Sequence, residues 1–258
     1  MKNTLFLILS ALLFVACGDD SSTSANNSND GDISSKSSSS SAKSLSSSVA
    51  KSSSSRKTVS SSSGKVAELV DPADVIVGSM KDSRDGQKYK TVKIGSQTWM
   101  AQNLNYETAN SYCYNDVLVN CSKYGRLYTW AAAMDGAGVC PEGWHLPTQT
   151  EWNTLLCAVS GSAVGVRLTA GKMLKFTSGW KNWGDGTDSF SFSARPAGGR
   201  SSDGRFFDDG SDAYFWSATE SDVYNAYSIN LENHSNGAYL LVASKSDAFS
   251  VRCLKSSN

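Results

Sequence analysis

A stretch of aromatic, acidic and glycine residues from Trp180 to Asp188 is the first candidate for chemistry in this sequence. It contains a second tryptophan, Trp183, and a second carboxylate, Asp185. Sugars stack on tryptophan rings and exchange hydrogen bonds with carboxylates, so this composition favours a glycan ligand. The alternative for either ring is packing on the protein core within a tight turn.

Further polar and aromatic residues extend the candidate binding set. Arg195 and Arg200 flank a Pro-Ala-Gly-Gly turn, and Glu220 follows the predicted strand that contains Trp216. These side chains either line a pocket or form a buried ion-pair network. The predicted ligand-binding residues are Trp180, Trp183, Asp185, Asp188, Arg195, Arg200, Trp216 and Glu220.

The segment from Arg200 to Asp212 concentrates carboxylates around two glycines. Carboxylate and backbone oxygens are the ligands that Ca²⁺ takes in proteins, although this spacing is not that of an EF-hand. The alternative is a solvated polar loop. Calcium is the one cofactor that the sequence suggests, and its candidate ligands are Asp203, Asp208, Asp209 and Asp212.

The sequence offers little for catalysis, and we predict no catalytic residue. Of its two histidines, His145 lies at a predicted helix entry, where a packed and hydrogen-bonded role is expected, and His234 lies in a turn. Neither has the spacing of a zinc site, and no Gly-x-Ser-x-Gly elbow or glycine-rich phosphate loop occurs. Paired carboxylates can cleave glycans and meet only in space, so a glycan hydrolase stays an alternative. The balance of 24 basic and 24 acidic residues argues against a nucleic-acid partner.

The first residues predict an exported, lipid-anchored protein. Residues 1–16 combine a basic start with an apolar run too short to span a bilayer of about 30 Å, which is typical of a secretory signal peptide. The sequence Phe14–Gly18 resembles a bacterial lipoprotein cleavage box. This resemblance implies a lipid on Cys17, membrane attachment through that lipid, and an outer-membrane location exposed on the cell surface. The alternative is an ordinary signal peptide with an incidental cysteine.

A serine-rich segment follows the lipid site. Serine makes up 23 of the 44 residues from 21 to 64. Such a tract cannot bury enough apolar surface to offset the entropy of ordering it. Residues 17–64 are therefore predicted to be the lipidated cysteine and a disordered tether, and residues 65–81 a transition into a folded domain at 82–258.

Patterns of apolar residues beyond residue 82 predict an α+β domain. An alternating segment with a glycine turn predicts a hairpin over 89–101. Two helices are predicted, one over Leu127–Met134 and one from a capping box at Thr148 to Gly161. Short strands separated by polar turns are predicted in the C-terminal third. We therefore expect two helices beside a mixed or antiparallel sheet.

Five cysteines remain after the lipid site, and an odd count leaves one thiol unpaired. Cys113 and Cys121 share a polar loop and are near enough to pair, at about 2.5 kcal/mol of stabilisation. A bond between Cys140 and Cys253 would close 113 residues and contribute about 4.7 kcal/mol. The remaining cysteine, Cys157, points away from the apolar face of its predicted helix, so we expect it to be a free thiol.

Several motifs, in order along the chain, resemble the Fibrobacter succinogenes major paralogous domain. They are Trp99–Leu104, Tyr124–Met134, Cys140–Thr148, Phe215–Thr219 and Ser250–Cys253. The likeness runs from about Asp82 to the end of the chain, and a lipoprotein start with a serine-rich tether is typical of that family. No activity is established for the family, so the resemblance implies architecture and location rather than chemistry.

Two weaker resemblances concern the fold. The helix, cysteine and final-strand pattern is similar to C-type-lectin-like domains, which implies the Cys140–Cys253 bond. The lectin calcium motifs Glu-Pro-Asn and Trp-Asn-Asp are absent, and Glu232-Asn233 is their nearest remnant. The segment Leu146–Trp152 is also similar to sulfatase-modifying, formylglycine-generating domains, but those need a redox-active cysteine pair late in the domain.

We therefore expect a surface lipoprotein whose C-type-lectin-like domain is non-catalytic and binds polysaccharide or another surface component. Two alternatives belong to other classes. An enzyme related to sulfatase-modifying factors, or a glycan hydrolase, requires a concave pocket with a perturbed carboxylate or a thiol pair. A scaffold of a surface assembly would join another chain through an apolar patch or Cys157.

Overall fold

A computed structural model describes residues 69–136, 138–160 and 167–257 of the 258-residue chain. The predicted signal peptide, the tether and the lipid site Cys17 lie outside the described residues. The predicted domain at 82–258 is described almost in full. None of the described helices has the length and apolar composition needed to cross a membrane.

The described part interleaves short helices and short strands, which confirms the predicted α+β class. The helices are α1 (Leu118–Tyr124), α2 (Trp130–Met134), α3 (Gln149–Ser160) and α4 (Arg167–Leu174). The strands are β1 (Ile76–Lys81), β2 (Lys88–Ile94), β3 (Gln97–Met100), β4 (Ser111–Tyr112), β5 (Leu127–Thr129), β6 (Trp144–His145), β7 (Gly199–Arg200), β8 (Phe206–Phe207), β9 (Asp212–Glu220), β10 (Asn225–Glu232), β11 (Ala238–Ser244), β12 (Ala248–Ser250) and β13 (Leu254–Lys255).

The first sheet has the strand order β1-β2-β3-β13-β6. Strands β2 and β3 form the predicted hairpin, with Val92 opposite Trp99 and Gly95 at φ 58° in its turn. Strand β1 pairs with β2 along its whole length, from Ile76 opposite Lys93 onward. Residues 76–81 therefore belong to the fold, which corrects their prediction as part of a transition segment.

The second sheet follows the order β11-β10-β9-β12-β5-β4, with the β7-β8 hairpin attached to β12. The long strands β9, β10 and β11 pair antiparallel to one another, and β12 runs parallel to β9. This arrangement leaves the last two strands in different sheets, because β12 lies inside the second sheet and β13 inside the first.

A capping box starts α3 as the sequence predicts. The Glu151 N–H donates to Thr148 Oγ1 at 3.2 Å, and the Thr148 N–H donates to Glu151 Oε2 at 2.8 Å. Each side chain thus satisfies a backbone donor that the first helical turn leaves without a partner. The helix buries Trp152, whose ring centroid lies 4.7 Å from that of Trp99 in the first sheet.

The other helices differ from prediction. Leu127–Thr129 is a strand rather than the first turn of a helix, because its backbone pairs with β12 and Thr129 Oγ1 caps α2 by accepting from Ala132 N. Neither α1 nor α4 was predicted, so the expectation of two helices is wrong. Within α4, Gly171 lowers helix propensity, but a Cβ there would lie 1.8 Å from the Gly237 carbonyl oxygen, so only glycine allows this contact.

Both predicted disulfides are present. The Cys140–Cys253 bond joins the segment after α2 to the C-terminal segment, and Cys113–Cys121 closes the loop around the start of α1. The expectation that Cys157 points away from the apolar side of its helix is wrong, because the residue is buried within α3. It is 6% exposed, since five consecutive residues of α3 are buried and the helix presents no outward face there.

The buried cation Arg252 lies between the two sheets. Its Nη2 donates to Asn103 Oδ1 at 2.6 Å, and its Nη1 donates to the carbonyls of Met100 and Phe192. Its guanidinium carbon also lies 4.5 Å from the Phe192 ring centroid. Burial lowers the pKa of Arg252 to about 9. Neutral oxygen atoms accept hydrogen bonds from the guanidinium group and thereby stabilise its buried charge.

Removing the long-range disulfide should cost more stability than removing the local one. The double variant Cys140→Ala with Cys253→Ala should lose about 2 kcal/mol more free energy of unfolding than Cys113→Ala with Cys121→Ala, because its loop is 113 rather than 8 residues long. Urea unfolding of the two double variants measures the difference. Equal losses would show that the reduced entropy of the unfolded chain does not explain how much the long-range disulfide stabilises the fold.

Replacing Arg252 with methionine should lower the free energy of unfolding by about 3–5 kcal/mol, because the buried acceptors on Met100, Phe192 and Asn103 lose a charged donor. Chemical denaturation measures this loss. The matched control is Arg205→Met, since that side chain is 84% exposed and its ion pair with Asp203 is a surface pair; it should change stability by less than about 0.5 kcal/mol. A loss below about 1 kcal/mol for the Arg252 variant would contradict the role assigned to it.

Candidate ligand-binding site

Three polar segments meet on one surface of the domain. The backbone N–H of Lys181 donates to the Gly210 carbonyl at 2.7 Å, and that of Asn233 donates to the Ser211 carbonyl at 2.8 Å. A Cβ on Gly184 would lie 2.5 Å from the Asn233 carbonyl oxygen, so the backbones are in direct contact. The two loops that the sequence identified separately are therefore neighbours, and the turn after β10 completes the surface.

Trp183 is the most exposed aromatic residue of this surface. Its relative exposure is 101%, and it adopts φ 62° directly after Asn182 at φ 54°. A bulky side chain in the left-handed region is unusual and costs free energy. The turn is held by Asp185, whose Oδ1 accepts from the Trp180 N–H at 3.0 Å. A strained backbone thus presents a large apolar ring entirely to solvent.

The other two predicted tryptophans cannot contact a ligand, and their assignment as binding residues is wrong. Trp180 is 6% exposed, with Lys175 Nζ lying 4.9 Å from its ring centroid. Trp216 is fully buried and donates from Nε1 to the Tyr128 carbonyl at 2.7 Å. Both rings belong to the core because their strands and loops turn them inward, which composition alone does not reveal.

The acidic part of the surface centres on Tyr214. Its hydroxyl lies 2.8 Å from Asp208 Oδ2 and 2.9 Å from Asp212 Oδ2. Burial raises the pKa of Tyr214 well above its usual range, so the phenol keeps its proton. Burial also raises the pKa of Asp212. The hydroxyl fills the space between the two carboxylates.

A second acidic group, Glu232, lies opposite Asp212 in the β9–β10 register. Asn230 Nδ2 lies 3.4 Å from Asp212 Oδ2 and 3.2 Å from Glu232 Oε1, so the amide spans the two carboxylates. On the outer side, His234 Nε2 lies 3.1 Å from Glu232 Oε2. Sequence reasoning did not assign His234 or Glu232 to a site. His234 was noted only in a polar turn, and Glu232 only as part of the nearest remnant of a lectin calcium motif.

We call this set the Trp183 surface. It consists of Trp183, Asp208, Asp212, Tyr214, Glu232 and His234. The exposed tryptophan ring and the hydrogen-bond acceptors and donors on neighbouring segments can together contact a ligand that has both apolar faces and hydroxyl groups.

The four aspartates predicted as a calcium cluster do not form one. Asp203 pairs with Arg205 at 2.7 Å, and hydrogen bonds from Ser201 and Arg205 lower its pKa to about 2. Asp209 faces Tyr114 and Tyr124 instead. Across residues 69–136, 138–160 and 167–257, no three His, Cys, Asp or Glu side chains are grouped as a metal site would require.

The remaining predicted binding residues have structural partners. Asp188 turns inward and accepts from the Ser193 N–H and hydroxyl, both at 2.7 Å. The guanidinium carbons of Arg195 and Arg200 each lie 4.0 Å from an aromatic ring centroid, of Phe176 and Tyr112 respectively.

Glu220 lies away from the Trp183 surface. It lies at the opposite end of β9 from Asp212. There it pairs with Lys245 at 2.9 Å. The prediction of His145 as a packed residue agrees with its bonds to Glu151 and Ser256.

The fold and the site define a class: a small disulfide-bonded α+β domain with an exposed aromatic and acidic surface built from loops. The profile of the Fibrobacter succinogenes major domain matches residues 92–255, so this chain belongs to that family. No curated protein matches the chain. No solved structure matches it either.

Replacing Trp183 with glycine should raise the free energy of unfolding by about 0.5–1 kcal/mol. Glycine relieves the left-handed strain, and this gain exceeds its own entropic cost. Thermal and urea unfolding measure the change. Tyr224 is the matched control, because it is 79% exposed and is not among the residues with positive φ. Tyr224→Gly should give no gain, and a loss of stability on Trp183→Gly would contradict the strain.

Proposed function

We propose that this protein is a cell-surface lipoprotein whose non-catalytic, C-type-lectin-like domain binds polysaccharide through the Trp183 surface. The observation that carries the proposal is the fully exposed Trp183 ring on a strained turn. Exposing a large ring forgoes the free energy of burying it, and the left-handed backbone adds to that cost. A ligand that covers the ring supplies the free energy of burial that the exposed ring lacks.

The polar groups around the ring suit a polyhydroxylated ligand. Asp208, Glu232 and His234 present acceptors and a donor on the two segments that adjoin the tryptophan loop. Carbohydrates offer flat C–H faces for stacking and hydroxyl groups for hydrogen bonds, so one ligand class fits both features. A single shallow site of this kind is weak, with a free energy of binding of about 4 kcal/mol or a millimolar Kd. Repeated units along a polymer then increase retention through avidity.

The location and the fold name are part of the same proposal. The apolar start and the cysteine at position 17 support a lipid anchor in the outer membrane, and the serine-rich segment supports a tether that projects the domain outward. The Cys140–Cys253 bond between the post-helix segment and the C-terminal segment supports the C-type-lectin-like assignment.

The enzyme alternatives are less well supported by the geometry. A glycan hydrolase needs room for the scissile bond between two carboxyl groups, whereas the Tyr214 hydroxyl occupies the gap between Asp208 and Asp212. A formylglycine-generating activity needs a reactive cysteine pair, whereas Cys253 is fully buried and bonded to Cys140.

A scaffold role is the second candidate, and one observation favours it. Three consecutive aliphatic residues at the start of α1 are exposed: Val117 by 46%, Leu118 by 75% and Val119 by 68%. Exposed apolar patches mark interaction sites more often than scattered single residues do. Concentration-dependent self-association that Leu118→Ser abolishes would favour the scaffold.

Loss of the Trp183 ring should weaken polysaccharide binding. We expect the chain from residue 18 onward to be retained on insoluble cellulose, xylan or chitin, and Trp183→Ala to reduce retention at least about tenfold, since stacking contributes more than about 1.4 kcal/mol. Depletion assays and affinity electrophoresis, each with and without chelator, measure retention.

The control for that experiment is Tyr224→Ala, which removes another highly exposed aromatic ring, at the β9–β10 turn. It should leave retention unchanged. The proposed function would be overturned if the protein bound none of these polymers and no member of a broad glycan array. Equal retention of the Trp183 and Tyr224 variants would also overturn it.

A further inference from the structure

The two short contacts of the Tyr214 hydroxyl require one more proton than is present when Asp208 and Asp212 are both ionised. A phenol hydroxyl donates one hydrogen, yet its oxygen lies within 2.9 Å of both Asp208 Oδ2 and Asp212 Oδ2. If both carboxylates were ionised, one of these contacts would join two acceptors and would be repulsive. A proton on one carboxyl group resolves the conflict, because that group then donates to the phenol oxygen while the phenol donates to the other carboxylate.

The surroundings indicate which carboxyl group carries the proton. Asp208 is exposed, whereas Asp212 is half-buried in β9. Asp212 also lies opposite Glu232, and like charges directly opposite each other across a β pair are unfavourable. Burial is the largest cause of the raised pKa of Asp212, and the Asp208 charge raises it further.

Nearby basic side chains offset these effects only in part. His234 lies on the outer side of Glu232 and is 75% exposed. Lys175 Nζ donates to the carbonyls of Glu232 and Ser235, and Lys181 Nζ donates to that of Asp209. None of these three basic side chains forms an ion pair with Asp212 or Asp208 within the described residues. The two carboxyl groups therefore depend on the proton at Tyr214.

Asp208 also belongs to the loop that connects the segments of the Trp183 surface. The Asp208 carbonyl accepts from the N–H groups of Ser211 and Asp212 at 2.9 and 3.0 Å, which closes the loop 208–212. The carbonyls of Gly210 and Ser211 in this loop accept from Lys181 and Asn233. A change in the Asp208 side chain therefore acts on the loop that holds the tryptophan loop and the β10 turn together.

We propose that Asp208 and Asp212 share one proton through the Tyr214 hydroxyl, and that loss of this proton releases Asp208 and loosens the Trp183 surface. The consequence for polysaccharide rests on the proposed function, whereas the shared proton does not. Ligand affinity should fall as pH rises through the folded-state pKa of the pair. Each unit by which that pKa differs between the intact and the loosened surface changes affinity by about tenfold.

The sign of the stability effect follows from the same shift. Because the folded-state pKa of Asp212 is raised from 3.8, the folded protein binds more protons than the unfolded chain above that value. The contribution to stability is complete below the unfolded pKa and is lost as pH rises through the folded one.

The test combines a direct proton measurement with three variants of the full secreted chain. Carboxyl ¹³C NMR from pH 3 to 8 should give Asp212 a pKa above its ordinary value, with a second inflection at Asp208. Tyr214→Phe keeps the ring that stacks on Phe249 at 4.8 Å but removes the bridging oxygen, so it should abolish the coupled titration. Asp212→Asn replaces the proton with a permanent amide donor and should make the signal of ¹⁹F-labelled Trp183 independent of pH. Asp135→Asn, at an exposed position, is the control and should retain the wild-type profile.

Each result separates this inference from the proposed function. A raised, coupled titration with a pH-dependent Trp183 signal supports the shared proton even if no polysaccharide binds, in which case only the proposed function fails. Ordinary, independent titration of Asp208 and Asp212 would overturn the inference. So would an unchanged pH response in Asp212→Asn, or a Trp183 signal that follows Ca²⁺ concentration rather than pH.

Discussion

The structure depends on a C-terminal segment that belongs to both sheets. Residues 248–250 pair inside the second sheet and residues 254–255 inside the first, so only residues 251–253 carry the chain from one to the other. Within that crossing lie Arg252 and Cys253, both fully buried. The guanidinium binds carbonyls from β3 and from the segment before β7, and the sulfur bonds to Cys140. The two sheets are thereby held in one arrangement.

Local signals in the sequence predicted the elements that local interactions stabilise. The Thr148 capping box and the hairpin around Gly95 each depend on residues a few positions apart, and both are present. The segment Leu127–Thr129 has a helical pattern, but pairing with a strand more than a hundred residues away overrides it. Helix α4 was missed for a similar reason, since Gly171 reflects a distant backbone contact rather than local propensity.

The candidate site was predictable in composition but not in assembly. The loops around Trp183 and Asp208 stood out because exposed aromatic and acidic residues are typical of binding loops. Their contact depends on long-range backbone hydrogen bonds, which no spacing encodes. The same limit explains Trp180 and Trp216, whose burial follows from packing, and His234, which only the register of β10 brings beside the acidic groups.

The position of β13 has a consequence for biogenesis. The first sheet lacks a central strand until residues 254–255 arrive, because β3 and β6 both pair with β13. Synthesis runs from the N-terminus, so the first sheet stays incomplete until residues 254–255 have left the ribosome. A nascent chain that ends before them leaves β3 and β6 without the strand with which both pair.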